Sequence, residues 1–131
     1  MSLESLFSLK GKTALIAGAS RGIGLAIAKE IAAAGAHTVL ASRSIEKLQA
    51  EADALNAAGY SAEAVALDME SRESIQAVGK AFADKADILI NVAGRNARRH
   101  MEDYSREEYD LILQTNLHSI FELTQLVGKG M

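Results

Sequence analysis

Cysteine and tryptophan are absent, and aromatic residues are few, with three tyrosines and three phenylalanines among 131 residues. The lack of cysteine excludes disulfides, thiolate metal sites and a cysteine nucleophile. The longest segment free of Asp, Glu, Lys and Arg runs only from Ile31 to Ser42, whereas a membrane-spanning helix needs about 20 apolar residues. Residues 1–12 lack the basic start and apolar core of a secretory signal. We therefore predict a cytoplasmic protein with no membrane partner.

Alanine and other hydrophobic residues are abundant instead. Hydrophobic residues make up 49% of the chain, and 24 residues are alanine. This composition supports a buried core and favours helices packed closely on a sheet over an aromatic-filled β-sandwich. The length predicts a single domain over residues 1–131. The net charge of −3 argues against a nucleic-acid partner bound through bulk charge.

Short apolar segments typical of strands alternate with segments of helical period. The predicted strands are Thr13–Ala17, His37–Ala41, Ala62–Leu67 and Asp87–Val92, the last apolar on both faces like a buried parallel strand. Strands joined by single helices must be parallel, with right-handed crossovers. The order predicts an α/β fold, a doubly wound parallel sheet of Rossmann type that ends after the fourth strand and fourth helix. Its ligand should lie beyond the carboxyl ends of the strands.

Serine residues mark the predicted starts of three of the four helices. Ser44 and Ser71 are expected N-caps, and Ser105 with Glu108 has the spacing of a capping box. The last helix is expected to continue past Asn116 towards residue 127. The expected apolar stripe of the first helix, over about 22–34, consists of residues four apart: Ile23, Ile27 and Ile31.

A glycine-rich turn, Gly18 to Gly24, joins the first predicted strand to the first helix with the spacing Gly-x-x-x-Gly-x-Gly. Such a turn lets a pyrophosphate approach backbone amides at the positive end of a helix. The alternative is a tight turn without a ligand. The strand–turn–helix context favours phosphate binding.

The segment TALIAGASRGIG, Thr13 to Gly24, resembles the opening of the short-chain dehydrogenase/reductase family. Three further family motifs follow in order. They are Asp68 after the third strand, NVAG at Asn91–Gly94 with Val92 in place of an asparagine, and Asn116 in LQTNLHSIF. The loop and helix that follow NVAG resemble the branch of gluconate 5-dehydrogenases and deoxygluconate dehydrogenases, and the branch of 3-oxoacyl-acyl-carrier-protein reductases is close to it. The resemblance implies a nicotinamide-dependent oxidoreductase acting on a carbonyl or an alcohol.

The resemblance also implies a role for each matched position. It places Asp68 on the adenine, with the start of a loop or the capping of the third helix as alternatives. It makes NVAG a wall beside the adenine ribose. It makes Asn116 a member of the catalytic tetrad, the alternative being a solvated helical side chain. The cofactor-binding residues are then Gly18, Ser20, Arg21, Gly22, Ile23, Gly24, Ser42, Arg43, Asp68, Asn91, Ala93 and Gly94.

The end of the second strand distinguishes NAD from NADP, because NAD binders place an acid there whereas NADP binders place cations for the 2′-phosphate. Ser42 and Arg43 occupy this position, with no acid before Glu46. Arg43, with Arg21 as a second cation, therefore favours NADP. The alternative is that both arginines are solvated at the surface.

A basic cluster of Arg95, Arg98, Arg99 and His100 follows the NVAG turn. Its charge suits an anionic small-molecule substrate, such as a sugar acid or the phosphate of a carrier arm, and a solvated loop is the alternative. The histidines lie on separate elements without carboxylates at ligand spacing, so no metal site is predicted.

The family's proton-transferring pair, Tyr-x-x-x-Lys, does not occur among these residues. Four positions after Tyr60, Tyr104 and Tyr109 stand Ala64, Glu108 and Leu113. The family pattern places the pair beyond Met131. The chain is therefore expected to be the cofactor-binding half of an NADP-dependent oxidoreductase, inactive alone, or alternatively a non-catalytic nucleotide-binding or interaction module.

The family pattern also covers the fourth strand with a fifth, which the sequence does not supply. The apolar edge of the fourth strand is then expected to be open, as is the apolar side of the last helix, with Leu113, Ile120 and Val127. Open strand edges and apolar faces are sites of association. We therefore predict a homo-oligomer, a swapped assembly or aggregation.

Overall fold

A computed structural model describes residues 1–131 and contains one sheet of four parallel strands. The strands are β1 (Thr13–Ala17), β2 (His37–Ser42), β3 (Ser61–Ala66) and β4 (Ile88–Asn91), in the spatial order β3-β2-β1-β4. Leu15 of β1 lies between Val39 of β2 and Leu89 of β4. The predicted doubly wound fold class is confirmed.

The helices are α1 (Leu3–Phe7), α2 (Gly22–Ala33), α3 (Ile45–Ala57), α4 (Arg72–Phe82), α5 (Arg106–Leu113) and α6 (Ser119–Gly128). Four of them cover the sheet, α2 and α3 on one face and α4 and α6 on the other, whereas α1 and α5 have no buried residue. Because successive strand residues point to opposite faces, Leu15 packs with α4 and α6 while Ile16 packs with α2 and α3. No helix combines the length and the apolar character needed to cross a membrane.

The buried side of α2 is not the isoleucine stripe that its sequence predicts. Gly24, Ala28 and Ala32 are buried, whereas Ile23 is 73% exposed. Small residues on the inner side let the helix backbone lie close to the sheet, and the larger isoleucines are displaced to the flanks. The four-residue spacing indicates a helix correctly, but the stripe lies beside the buried face, with Ile27 partly buried against the core and Ile23 exposed.

Two of the three predicted serine caps form. The Ser71 hydroxyl accepts from the Ser74 amide at 3.2 Å, and Ser105 and Glu108 make both bonds of the capping box. Ser44 occupies the N-cap position of α3, but its side chain caps no amide. The Ser44 amide instead donates to the Ser42 hydroxyl at 3.1 Å.

The last helical segment is interrupted. A short 3₁₀ turn, Met101–Asp103, precedes α5, and a π-helical segment, Gln114–His118, separates α5 from α6. The expectation that Val127 is uncovered is wrong, because Val127 is fully buried against the sheet. The large apolar residues exposed on this segment are Leu117 and Phe121, at 57% and 66%.

β4 lies at the edge of the sheet and pairs only with β1. Its residues Ile88, Leu89 and Ile90 are therefore half-buried rather than fully covered. The sequence also gives no signal for α1, a five-residue helix with a Ser2 capping box and no buried residue.

Candidate functional site

A cleft of about 580 Å³ lies where the strands end at their carboxyl termini. The predicted site residues that line it come from the glycine-rich turn, the end of β2, the end of β3 and the NVAG turn. They are Gly18, Ser20, Arg21, Gly22, Ile23, Gly24, Ser42, Arg43, Asp68, Ala93 and Gly94. The structure thus brings together segments that are up to 76 positions apart in the chain, from Gly18 to Gly94.

Glycines in the turn are required by close backbone contacts. Gly18 has a φ of +95°, and a Cβ there would lie 2.5 Å from the amide nitrogen of Ala93. A Cβ on Gly24 would overlap the carbonyl oxygen of Gly18. The turn is therefore locked against the NVAG segment, and its fold depends on these two positions.

The amides at the start of α2 face the cleft without a protein partner to cap them. The first turn of any helix has no intrahelical acceptor for its amides, and Arg21 at the N-cap position makes no side-chain bond to them. Gly22, with a φ of +56°, has open space where a Cβ would stand. This arrangement suits an anion held by backbone amides.

Arg43 lies at the cleft mouth beyond β2, with its side chain 68% exposed. The Ile45 amide donates to the Arg43 carbonyl at 3.0 Å and fixes the turn. The guanidinium is not free, because its Nη1 lies 3.8 Å from Oε1 of Glu70. No sequence pattern signals this role of Glu70, since Arg43 lies 27 positions away along the chain.

Asp68 shapes the loop after β3. Its Oδ1 accepts from the Glu70 amide at 2.9 Å, and its own amide donates to the Ser74 hydroxyl at 3.0 Å. The cap of α4 is Ser71, not Asp68. Asp68 therefore holds its loop and also lines the cleft, so a second acceptor position remains for a ligand.

Asn91 differs from the other predicted site residues. Its side-chain amide donates to the Thr124 hydroxyl of α6 at 3.1 Å and does not line the cleft. The amides of Val92 and Ala93 donate to the Ala17 carbonyl at 2.9 and 2.8 Å, which fixes the NVAG turn to β1. Asn91 thus ties the end of β4 to the helix behind it.

Asn116 lies in the π-helical segment and clamps the loop after NVAG. Its Nδ2 donates to the Arg95 carbonyl at 2.7 Å, and the Arg95 amide donates to its Oδ1 at 2.8 Å. A Cβ on Gly94 would lie 3.0 Å from the same Oδ1. The wide π turn therefore holds this asparagine side chain against the loop, next to the cleft.

Thr115, which precedes Asn116, lines the cleft with a buried hydroxyl that has no hydrogen-bond partner. Such an orphan group costs free energy unless a ligand or water bonds to it. Lys47, Met69 and Arg95 also line the cleft. Arg95 belongs to the predicted basic cluster, whereas no motif signals Thr115, Lys47 or Met69, because their place in the cleft depends on how separate segments come together.

Two arginines of the basic cluster pair with carboxylates. Arg95 contacts Glu70, and Arg99 Nη2 lies 2.6 Å from Glu108. The Arg99 hydrogen bond holds the pKa of the Glu108 carboxyl below its ordinary value. Arg98 and His100 make no ion pair, so Arg98 is the arginine of the cluster with its charge available to a ligand.

These features together fit a dinucleotide. Uncapped helix amides suit a pyrophosphate, Arg21 and Arg43 add positive charge, and the Thr115 hydroxyl offers a bond to a polar group. The cleft volume of about 580 Å³ falls in the usual range for small-molecule and cofactor sites, about 300–1,000 Å³.

Comparisons with known proteins also indicate a dinucleotide-binding protein. Residues 12–131 match the family model described as short chain dehydrogenase. Gluconate 5-dehydrogenase from Gluconobacter oxydans is 39% identical over an alignment of 134 residues, covering 100% of this chain and 52% of that protein. The chain spans about half the length of the curated relatives it matches.

Two solved structures have closely similar folds. A 3-oxoacyl-acyl-carrier-protein reductase from Agrobacterium tumefaciens with NADP bound superposes with a TM-score of 0.90 at 31% identity, over 99% of this chain and 52% of that one. A gluconate 5-dehydrogenase from Burkholderia cenocepacia in complex with NADP and tartrate superposes with a TM-score of 0.88 at 30% sequence identity. The match covers 98% of this chain and 51% of that one.

Proposed function

Since the chain belongs to the short-chain dehydrogenase family, we propose that its cleft binds NADP and that the protein containing it interconverts a carbonyl and an alcohol. One observation carries the cofactor assignment. Arg43 stands at the cleft mouth beyond β2, beside the uncapped start of α2, at the position where NAD binders place an acid. NADP in the two similar solved structures supports it.

Each part of the cleft has a part of the cofactor to hold. The amides of Gly22, Ile23 and Gly24 would bind the pyrophosphate, Arg43 and Arg21 the 2′-phosphate, and Asp68 the adenine. Ala93 and Gly94 would form the wall beside the adenine ribose, with Asn91 bracing that wall from behind. When bound, the nicotinamide supplies or accepts a hydride.

Asn116 is proposed as the one member of the catalytic tetrad within these residues. Both polar atoms of its side-chain amide are engaged with the Arg95 backbone. Its contribution is therefore to position the loop between cofactor and substrate. The unpaired Arg98 on that loop favours an anionic substrate, such as a sugar acid or a 3-oxoacyl group on a phosphate-bearing carrier.

A non-catalytic nucleotide-binding module is the second candidate function. The observation that favours it is that the glycine-rich turn, Arg43 and Asp68 form one cleft that needs no catalytic residue to bind a nucleotide. Both candidates require nucleotide binding, and only the first requires turnover by the protein containing this chain.

We expect the chain to bind 2′,5′-ADP more tightly than 5′-AMP, because only the first carries the phosphate that Arg43 and Arg21 would contact. Arg43→Asp should remove a charge-assisted contact and cost about 1–3 kcal/mol of binding free energy for 2′,5′-ADP. Isothermal titration calorimetry with both nucleotides measures the difference.

Lys85→Asp is the matched control. It makes the same change of charge as Arg43→Asp, but at an exposed turn that is not part of the cleft lining. It should leave the ratio of the two affinities unchanged. Equal affinity of the unmodified chain for both nucleotides would contradict the assignment of NADP.

Self-association is expected to use the exposed apolar side of the last helical segment. Phe121→Asp should shift the chain towards a monomer, because it replaces one of the two large exposed apolar side chains of this segment, Leu117 and Phe121, with a charge. Tyr60→Asp, at an exposed aromatic before β3, is the control. Sedimentation velocity at micromolar concentration measures the change, and a monodisperse monomer of the unmodified chain would contradict the expectation.

A further inference from the structure

Glu70 is a carboxylate placed between two arginines at the mouth of the cleft. It lies in the loop between β3 and α4, with its side chain 27% exposed. Its Oε1 contacts Nη1 of Arg95, beyond β4, and lies 3.8 Å from Nη1 of Arg43, beyond β2. One carboxylate oxygen thus links loops that follow three different strands.

The position of Glu70 is fixed by its surroundings. Its backbone amide donates to Oδ1 of Asp68 at 2.9 Å, and the adjacent Ser71 caps α4. The carboxylate therefore belongs to an ordered loop at the cleft wall. The 68% exposed Arg43 side chain is the more adjustable partner of the pair.

This arrangement opposes the binding of a second anion at Arg43. A phosphate on that guanidinium would share its positive charge with Glu70 and lie within several ångströms of a negative carboxylate. Repulsion between like charges at such a distance is reduced by solvent but not removed. A ligand with hydroxyls in place of the phosphate would meet no such repulsion.

We propose that Glu70 is a specificity-determining residue that weakens binding of the 2′-phosphate by competing for Arg43, and so narrows the preference for NADP over NAD. The inference rests on the proposed function, because it requires the 2′-phosphate at Arg43. Arg95 keeps Glu70 in place, since it contacts the same oxygen.

Glu70→Gln tests the proposal by removing the charge while keeping the side-chain shape and the backbone bond to Asp68. Calorimetry with 2′,5′-ADP and 5′-AMP as probes should show a tighter Kd for 2′,5′-ADP, by about 3–10-fold. The Kd for 5′-AMP should change less than about twofold. The gain should shrink as salt rises, because salt screens the repulsion.

Glu73→Gln is the matched control, because Glu73 is an exposed glutamate on the first turn of α4 without an ion pair or a place in the cleft lining. It should leave both affinities unchanged. Glu70→Ala, which also keeps the backbone bond, serves as a second variant, and thermal melting checks that each variant is folded.

The outcomes separate this inference from the proposed function. If the unmodified chain binds neither nucleotide, the proposed function fails. If it prefers 2′,5′-ADP but Glu70→Gln binds that nucleotide equally or more weakly, Glu70 positions Arg43 instead of competing for it, and the inference is overturned. An equal gain for both nucleotides would overturn it too, since the effect would not involve the 2′-phosphate.

Discussion

A polypeptide of these 131 residues is expected to oxidise no measurable NADPH with any keto acid or keto sugar. Proton transfer to the substrate oxygen needs a positioned acid, and its loss alone typically costs about 10²–10⁴ in rate. The tyrosines cannot supply the family's Tyr-x-x-x-Lys. The hydroxyl of Tyr104, in addition, donates to the Ala97 carbonyl within its own loop. Absorbance of NADPH, followed over hours at high protein concentration, measures the rate.

Nucleotide binding by the same sample is the control, since it shows that a lack of turnover does not reflect a misfolded cleft. A longer protein that joins these residues to the family's Tyr-x-x-x-Lys should turn over, and Asn116→Ala in it should lower kcat by about 10²-fold through misplacement of the loop. Turnover by a sample whose mass confirms 131 residues would contradict the proposed position of the active site.

Gly24→Ala is expected to abolish nucleotide binding and to lower the free energy of unfolding by about 1–3 kcal/mol or more. The added Cβ would overlap the carbonyl oxygen of Gly18. That oxygen belongs to backbone, which cannot move aside like a flexible side chain. Relief of the overlap would displace the start of α2 from the glycine-rich turn and misalign the amides proposed to hold the pyrophosphate.

Gly128→Ala is the matched control, because Gly128 ends α6 and has nothing within 4 Å of an added Cβ. Helix propensity makes that change neutral or slightly stabilising. Urea denaturation gives the two free energies, and calorimetry with 2′,5′-ADP gives the binding. A Gly24→Ala variant as stable as the unmodified chain would contradict the packing described for the turn.

The sheet could be predicted from the sequence because its signals are local. Four apolar segments, each separated by one amphipathic segment, leave little choice but parallel strands with helical crossovers. β1 was predicted with its observed bounds, Thr13–Ala17. The other strands differ from their predicted bounds by one residue at one or both ends, where pairing with a neighbour decides where a strand stops.

The buried face of α2 could not be predicted from local sequence signals. Hydrophobicity alone ranks isoleucine above alanine and glycine, but the backbone of α2 approaches the sheet too closely for large residues to lie between. The buried set is therefore Gly24, Ala28 and Ala32. Close approach is a tertiary property, and a helical period cannot distinguish it from an ordinary apolar stripe.

The site residues also fall into those that a local sequence pattern signals and those that depend on tertiary contacts. The glycine-rich turn and the positions of Arg43 and Asp68 follow from motifs beside strand ends, and the structure brings them to one cleft. Glu70 and Thr115 were missed because their significance depends on neighbours from other segments. The π turn around Asn116 interrupts a helix that was predicted to be continuous, since no local pattern distinguishes such a turn from an α-helix.

This cleft is expected to hold the adenosine half of NADP, and a crystal structure of the chain with 2′,5′-ADP tests that assignment most directly. We expect the 5′-phosphate at the amides of Gly22–Gly24, the 2′-phosphate within hydrogen-bond distance of the Arg43 guanidinium, and the adenine beside Asp68. A nucleotide bound elsewhere, or bound in the cleft with its 2′-phosphate directed away from Arg43 into solvent, would contradict that assignment.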